Sequence, residues 1–254
     1  MKWDQNSTLG TAKVFMDIVN KTKLNTAQLF KKTLAFNWSN VYTRFCWEWT
    51  AVKKIKDHYF HKAKKDGYAA RSVYKIEEID NKHRIILTGN KVLDLGCSPG
   101  SWLQYASRKV GNSGYVLGID VQPVKISLPL NVKVIQADIF EITNAELHIK
   151  AGKPDVILSD MAPKTSGIRL TDAHRSFALN KKVLNIANEI LSAEGTLLVK
   201  TFQGILLDEL CSEFRKMFAK VKLCKPKSSR SESTEIFILG THKKKNNLKN
   251  QSIY

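Results

Sequence analysis

The chain has 254 residues, 43% of them hydrophobic, so it can bury a sizeable core as one large domain or as a domain with an appendage. Its 41 Lys and Arg against 23 Asp and Glu give a formal net charge of +18, which points to a polyanionic partner and to nucleic acid first. No apolar run reaches the ~18–20 residues of a membrane span, no secretory signal opens the chain, and Cys46, Cys97, Cys211 and Cys224 form neither a C-x-x-C pair nor a metal-ligating group with histidine. A membrane protein, an exported protein and a metalloenzyme are therefore disfavoured, and reduced thiols in a cytosol-like compartment are expected.

Residues 1–48 are poor in acids (Asp4, Asp17 and Glu48) and rich in Lys, Asn and Thr, with Trp38, Tyr42, Phe45 and Trp47 among them. They read as an N-terminal extension: an amphipathic appendage, an organellar transit segment, or an upstream start without a folded role. Transit segments favour Arg and Ser where this one favours Lys and Asn. Next, Lys53, Lys54, Lys56, His58, His61, Lys62, Lys64 and Lys65 crowd one element, followed by Arg71, with Tyr59, Phe60 and Tyr68 interleaved. Either the aromatics stack on unpaired bases, or they pack inward beneath a solvated basic face. Arg71-Ser72-Val73-Tyr74-Lys75 opens a helix.

Short β-type runs then alternate with helical patterns. Strands are expected at 91–96, 115–120, 132–138, 154–160, 195–202, 221–227 and 234–240, and helices around 101–110, 172–192 and 205–219, the second capped by Thr171 or Asp172. Several strands are near-continuous apolar runs, as in sheets covered on both faces. The pattern implies an α/β fold with a doubly wound sheet that binds its ligand beyond the C-terminal strand ends. Residues 243–254, with Lys243, Lys244, Lys245 and Lys249 among asparagines, read as a basic tail.

The chemistry-bearing residues sit at those strand ends. Asp94-Leu95-Gly96-Cys97-Ser98-Pro99-Gly100-Ser101-Trp102 runs from a buried strand through a tight turn into a helix. Glycine there lets backbone approach a ligand, yet the spacing is neither a phosphate-binding loop nor the dinucleotide fingerprint. The next strand ends at Asp120, where a carboxylate can accept both ribose hydroxyls of a nucleoside. A third ends at Asp138, a fourth at Asp160 and a fifth near Lys200. Singly, each could be a turn residue. Together they describe a nucleoside pocket without a phosphate site, which suits S-adenosylmethionine better than NAD or ATP. A lysine at the end of an apolar strand is costly without partners or a task.

These landmarks, in order AARSVYKIEEID, KVLDLGCSPGSWLQY, GIDVQP, QADIF, VILSDMAPKTSG, LLVKTFQG and KPKSSRSESTEIFILG, resemble the FtsJ-like ribosomal RNA 2′-O-ribose methyltransferases over about three-quarters of the chain, from Trp49 to Gly240. The resemblance implies a Rossmann-like S-adenosylmethionine-dependent methyltransferase fold with a seven-stranded, mostly parallel sheet flanked by helices, spanning 49–242. It implies a catalytic set on Lys75, Asp160, Lys200 and Glu235. It places cofactor contacts on Asp94, Gly96, Pro99, Gly100, Trp102, Asp120, Asp138 and Asp160. Ser101 stands where bacterial members usually carry Gly, and Lys164 where Asn is common.

The implied reaction is methylation of a ribose 2′-hydroxyl, of a uridine, in large-subunit ribosomal RNA by a cytoplasmic monomer without a metal. An organelle is the alternative compartment if residues 1–48 target the chain. Lys200 either accepts the hydroxyl proton or, still charged, steadies the oxyanion. Lys62, Lys64, Lys65, Arg71, Lys225, Lys227 and Arg230 are the candidate RNA-binding residues. Two other functions compete: methylation of tRNA or an mRNA cap on the same fold, and RNA binding without turnover as a ribosome-assembly factor. The Ser-Asp-Met-Ala-Pro segment resembles the ribosomal branch more than the tRNA branch, and the intact catalytic set argues against a scaffold.

Overall fold

The computed structural model describes residues 58–163, 166–229 and 233–245. The extension 1–48, Lys53, Lys54, Lys56, Lys164, Arg230 and Lys249 lie outside the described residues.

The apolar runs become strands because helices cover both of their faces. β1 (Lys91–Leu95), β2 (Tyr115–Asp120), β3 (Val132–Gln136), β4 (Val156–Ser159), β5 (Thr196–Phe202), β6 (Phe218–Cys224) and β7 (Glu235–Lys243) form a seven-stranded sheet in the order β3-β2-β1-β4-β5-β7-β6. Pairings from β3 through β5 are parallel, and β7 runs antiparallel between β5 and β6. The helices are α1 (Val73–His83), α2 (Ser101–Val110), α3 (Asn144–Ala151), α4 (Arg169–Ile190) and α5 (Leu207–Met217), with a further helical stretch at 58–65. None of the described helices is long and apolar enough to cross a membrane.

Side-chain parity divides the core. Leu93 and Leu95, Leu117 and Ile119, Ile157, and Leu197 and Val199 pack with α3, α4 and α5. Their neighbours Val92, Val116, Val156, Leu158, Leu198 and Phe237 pack instead with α1 and α2. Because strand residues alternate in direction, Asp94, Asp120, Lys200 and Glu235 all share the parity of the α1/α2 face. The strand order also reverses between β1 and β4, the switch point where open α/β sheets bind ligands. The described cysteines, Cys97, Cys211 and Cys224, are buried and free.

Several boundaries differ from those expected. β6 starts at Phe218, directly after α5, and ends before Pro226, which has no N–H to give to a ladder. Helix α3 was not expected, although Thr143 and Glu146 form a capping box at its start. Helix α4 begins at Arg169, a turn before the expected caps Thr171 and Asp172. Asp172 instead lies within the first turn and accepts hydrogen bonds from the backbone N–H groups of Ser166 and Gly167. Lys243 is not the start of a tail. It closes β7 opposite Phe218, is buried, and its ammonium donates to the carbonyls of Asn188 and Leu191 at the end of α4, each at 2.7 Å. A cation there also meets the negative end of the helix dipole.

Candidate active site

Four ionisable residues from four elements meet at the C-terminal edge of β4 and β5. Lys75 comes from α1, Asp160 follows β4, Lys200 lies in β5, and Glu235 opens β7. In the antiparallel ladder Lys200 faces Phe237 and Phe202 faces Glu235, so the two site residues lie two steps apart on the same side of the sheet. Lys200 Nζ is 3.0 Å from Asp160 Oδ1 and also donates to the Asp160 carbonyl. Lys75 Nζ donates to Glu235 Oε2 at 2.8 Å and stands 3.9 Å from Asp160 Oδ1. Charges therefore alternate in one chain, Lys200, Asp160, Lys75, Glu235. All four side chains are largely withdrawn from water, the most open being Asp160 at 18%. Mutual pairing is what makes such burial tolerable.

Acidic side chains also stand at or near the ends of β1, β2 and β3. Asp120 Oδ2 accepts the Ser98 N–H at 2.8 Å and Oδ1 the Gln122 N–H at 2.7 Å, which ties the β1–α2 turn to the end of β2 and leaves lone pairs for ribose hydroxyls. Asp138 Oδ1 accepts the Phe140 N–H at 2.8 Å. Asp94 is 1% exposed and neither carboxylate oxygen has a hydrogen-bond partner. Burial first, and then the charges of Asp160 and Asp120, push its carboxyl well above the ordinary carboxylate range. An orphaned carboxyl with acidic neighbours fits a cationic nucleoside ligand and not a phosphate-bearing one. Among the described residues no group of His, Cys, Asp and Glu could hold a metal ion.

Two expected cofactor positions carry protein packing. A Cβ on Gly96 would run into the Met161 side chain, and one on Gly100 into Ile126 and Val124, so side chains of this protein fill the space that glycine leaves. Trp102 is buried, stacks at 6.0 Å on Phe237, and its indole N–H donates to the Ser72 carbonyl, holding α1 against α2 and the sheet. Pro99 is exposed in the turn.

The basic surface divides in a similar way. Lys62, Lys64 and Lys65 are exposed on the stretch that precedes α1, and Lys62 Nζ lies 4.4 Å from the Tyr74 ring centroid. Tyr59 and Tyr68 pack against the α1/α2 core, whereas Phe60 is 57% exposed. Of the interleaved aromatics, then, only Phe60 faces outward. Lys225 donates to the Ser233 carbonyl, the Lys227 side chain is exposed, and Arg71 Nη2 donates to the Ser228 carbonyl at 3.2 Å.

Two residues that sequence reasoning passed over adjoin the cluster. Glu78 accepts the backbone N–H groups of Lys227 at 2.6 Å and Ser228 at 3.0 Å, and Ser229 Oγ donates to Glu235 Oε1 at 3.0 Å. The only hint in the sequence was the position of Glu78 three residues after Lys75, which puts both on one helix face.

A mostly parallel sheet with an antiparallel β7 and acids at the ends of its first strands defines the Rossmann-like methyltransferase class. The FtsJ-like methyltransferase family model matches residues 68–243. The chain is 44% identical over 192 residues to the ribosomal RNA large subunit methyltransferase E of Syntrophobacter fumaroxidans, covering 75% of this chain and 98% of that protein. The protein of the same name from Bdellovibrio bacteriovorus is 46% identical, with 74% and 97% covered. A crystal structure from Plasmodium falciparum, described as a ribosomal RNA methyltransferase, superposes with a TM-score of 0.62 at 29% identity over 69% of this chain and 98% of that one. The chain belongs to the FtsJ-like methyltransferases.

Proposed function

We propose that this chain transfers a methyl group from S-adenosylmethionine to the 2′-hydroxyl of a uridine ribose in large-subunit ribosomal RNA. The observation that carries the reading is the convergence of Lys75, Asp160, Lys200 and Glu235 near the buried Asp94 and the end of β2 at Asp120, on the strands that flank the sheet's switch point. Relatives named for methylation of the large ribosomal subunit supply the substrate.

S-adenosylmethionine brings an already activated methyl group on a sulfonium. The protein therefore has to orient the acceptor and manage its proton. An ammonium has three donors. Lys200 donates one to the Asp160 backbone carbonyl and its Nζ pairs with Asp160 Oδ1 at 3.0 Å, and a donor left over is the one to hold the ribose oxygen. Asp160 fixes Lys200 and reaches toward Lys75, while Glu235 fixes Lys75 from the other side. Asp120 takes the ribose hydroxyls of the cofactor, Asp138 its adenine amine, and Asp160 favours its positive charge, while Asp94 stays a buried acid in β1. Gly96, Pro99, Gly100 and Trp102 shape the turn beneath it.

The RNA lies on Lys62, Lys64, Lys65, Lys225, Lys227 and Arg230, with Arg71 holding the loop between them. The methyltransferase domain starts at 49 and runs through Lys243, the last residue of β7, residues 1–48 form an extension, and the chain acts as a monomer in a cytosol-like compartment. Incubation of the full chain with labelled S-adenosylmethionine and large subunits lacking the modification, followed by mapping of 2′-O-methyl nucleotides, tests this. One new 2′-O-methyluridine in large-subunit RNA is expected. Label in tRNA or capped mRNA alone would overturn the substrate, and no label in any RNA would overturn the reading.

A further inference from the structure

Arg71 just before α1, Lys75 on its first turn and Glu78 on the next fall at spacings of four and three, along one side of the helix. Each engages the segment that leads into β7. Arg71 reaches the Ser228 carbonyl, Lys75 the Glu235 carboxylate, and Glu78 the amides of Lys227 and Ser228. Successive backbone N–H groups form a concave anion site, and here the two oxygens of Glu78 fill it. The turn is closed by the Ser229 N–H, which donates to the Pro226 carbonyl at 3.1 Å. Its last residue then presents Ser229 Oγ to Glu235 Oε1 at 3.0 Å.

We infer that Glu78 and Ser229 are positioning residues for methyl transfer: Glu78 locks the turn at 226–229, and the turn aims the Ser229 hydroxyl at Glu235. The inference rests on reading the Lys75, Asp160, Lys200 and Glu235 cluster as the methylation site. Glu235 has one fixed partner on each oxygen, Lys75 on Oε2 and Ser229 on Oε1. The torsion that turns a glutamate carboxylate is soft and broad, so a single partner leaves the plane of the group free to rotate. With both partners the plane is set, and with it the direction of the Lys75 ammonium toward Asp160. A helix remote in sequence thereby controls the orientation of a carboxylate that it touches only through Lys75.

Ser229→Ala, Ser229→Thr and Glu78→Gln in the full chain test the inference, assayed with labelled S-adenosylmethionine on large subunits lacking the modification. Ser229→Ala should lower kcat about ten-fold, the scale of one hydrogen bond to a charged group, while KM for the subunit stays within about two-fold. Ser229→Thr, which keeps the hydroxyl, should restore kcat to within about three-fold. Glu78→Gln, which has one acceptor oxygen where the carboxylate has two, should reproduce the kcat loss with its melting temperature held within ~2 °C. In a Glu235→Ala background Ser229→Ala should cost nothing more, because its target is already gone. Wild-type turnover by Ser229→Ala, or an undiminished loss in the Glu235→Ala background, would overturn the inference while leaving the methylation site standing. An inactive wild-type chain would instead overturn the reading on which both depend.

Discussion

Lys75 Nζ lies 2.8 Å from Glu235 Oε2 although 160 positions separate the two residues in the chain. The pair joins α1 to the first residue of β7, and Asp160 at 3.9 Å extends it toward Lys200. The helix before the sheet and the last strand in sequence are thus tied together at the edge where the candidate site lies.

A double-mutant cycle measures that tie. With both side chains less than 15% exposed, Lys75→Met or Glu235→Gln alone leaves an uncompensated buried group and should cost about 3–5 kcal/mol of stability. The double variant should lose less than the sum, with a coupling of at least about 1 kcal/mol read from urea unfolding. Strict additivity would show that the contact contributes nothing.

Asp94 gives the protein a pH signature. Its carboxyl titrates well above the ordinary range, so in acid the folded and unfolded states both keep the proton. As pH rises through the ordinary carboxylate range the unfolded chain releases that proton first, and this group's contribution to stability declines until the folded carboxyl also ionises. Asp94→Asn should therefore raise the melting temperature at neutral pH and leave it nearly unchanged at pH about 3.5, below the unfolded value. An equal effect at both pH values, or a lower melting point at neutral pH, would show that Asp94 is not held protonated by its surroundings.

Much of this architecture was legible in the sequence. Doubly covered strands read as apolar runs whatever their partners, and β2 and α2 begin and end where periodicity put them. The candidate set Lys75, Asp160, Lys200 and Glu235 came from a family resemblance, and its two strand residues, Lys200 and Glu235, share one side of the sheet. What could not be read depends on tertiary partners. β6 alternates poorly, with Leu223 half-exposed on the sheet edge, so its hydrophobic pattern was weak and its start was placed three residues late. The contact between Glu78 and Lys227 spans 149 positions, and no local rule signals it. Lys243 looked like a tail lysine because composition does not show that the carbonyls of α4 await it. Helix α3 was legible and overlooked, since the Thr143 and Glu146 capping pattern stands in plain view.

Lys243 offers a stability test away from the site. Burial lowers its pKa, yet its ammonium satisfies two carbonyls at the end of α4. Lys243→Met keeps the apolar stem and removes both bonds, and should cost about 1–3 kcal/mol in denaturant unfolding without changing kcat. A neutral substitution would mean that those carbonyls find other partners.

RNA binding should weaken steeply with salt, because the positive surface displaces counterions from phosphates. Lys64 and Lys65 are exposed and lie outside the catalytic cluster. Replacing both with alanine should reduce the slope of log affinity against log salt by about 1–2 while leaving sequence preference intact. A slope unchanged in that variant would place the RNA elsewhere on the protein.

The single-turnover rate of methyl transfer by Lys200→Ala, measured with S-adenosylmethionine and large subunits at saturation, tests the four-residue site most directly. On the proposed reading a Lys200 donor holds the ribose oxygen, so the rate should fall at least about 100-fold while the cofactor still binds. Transfer at the wild-type rate would contradict the assignment, because the cluster would then be a structural ion-pair network without a part in the reaction.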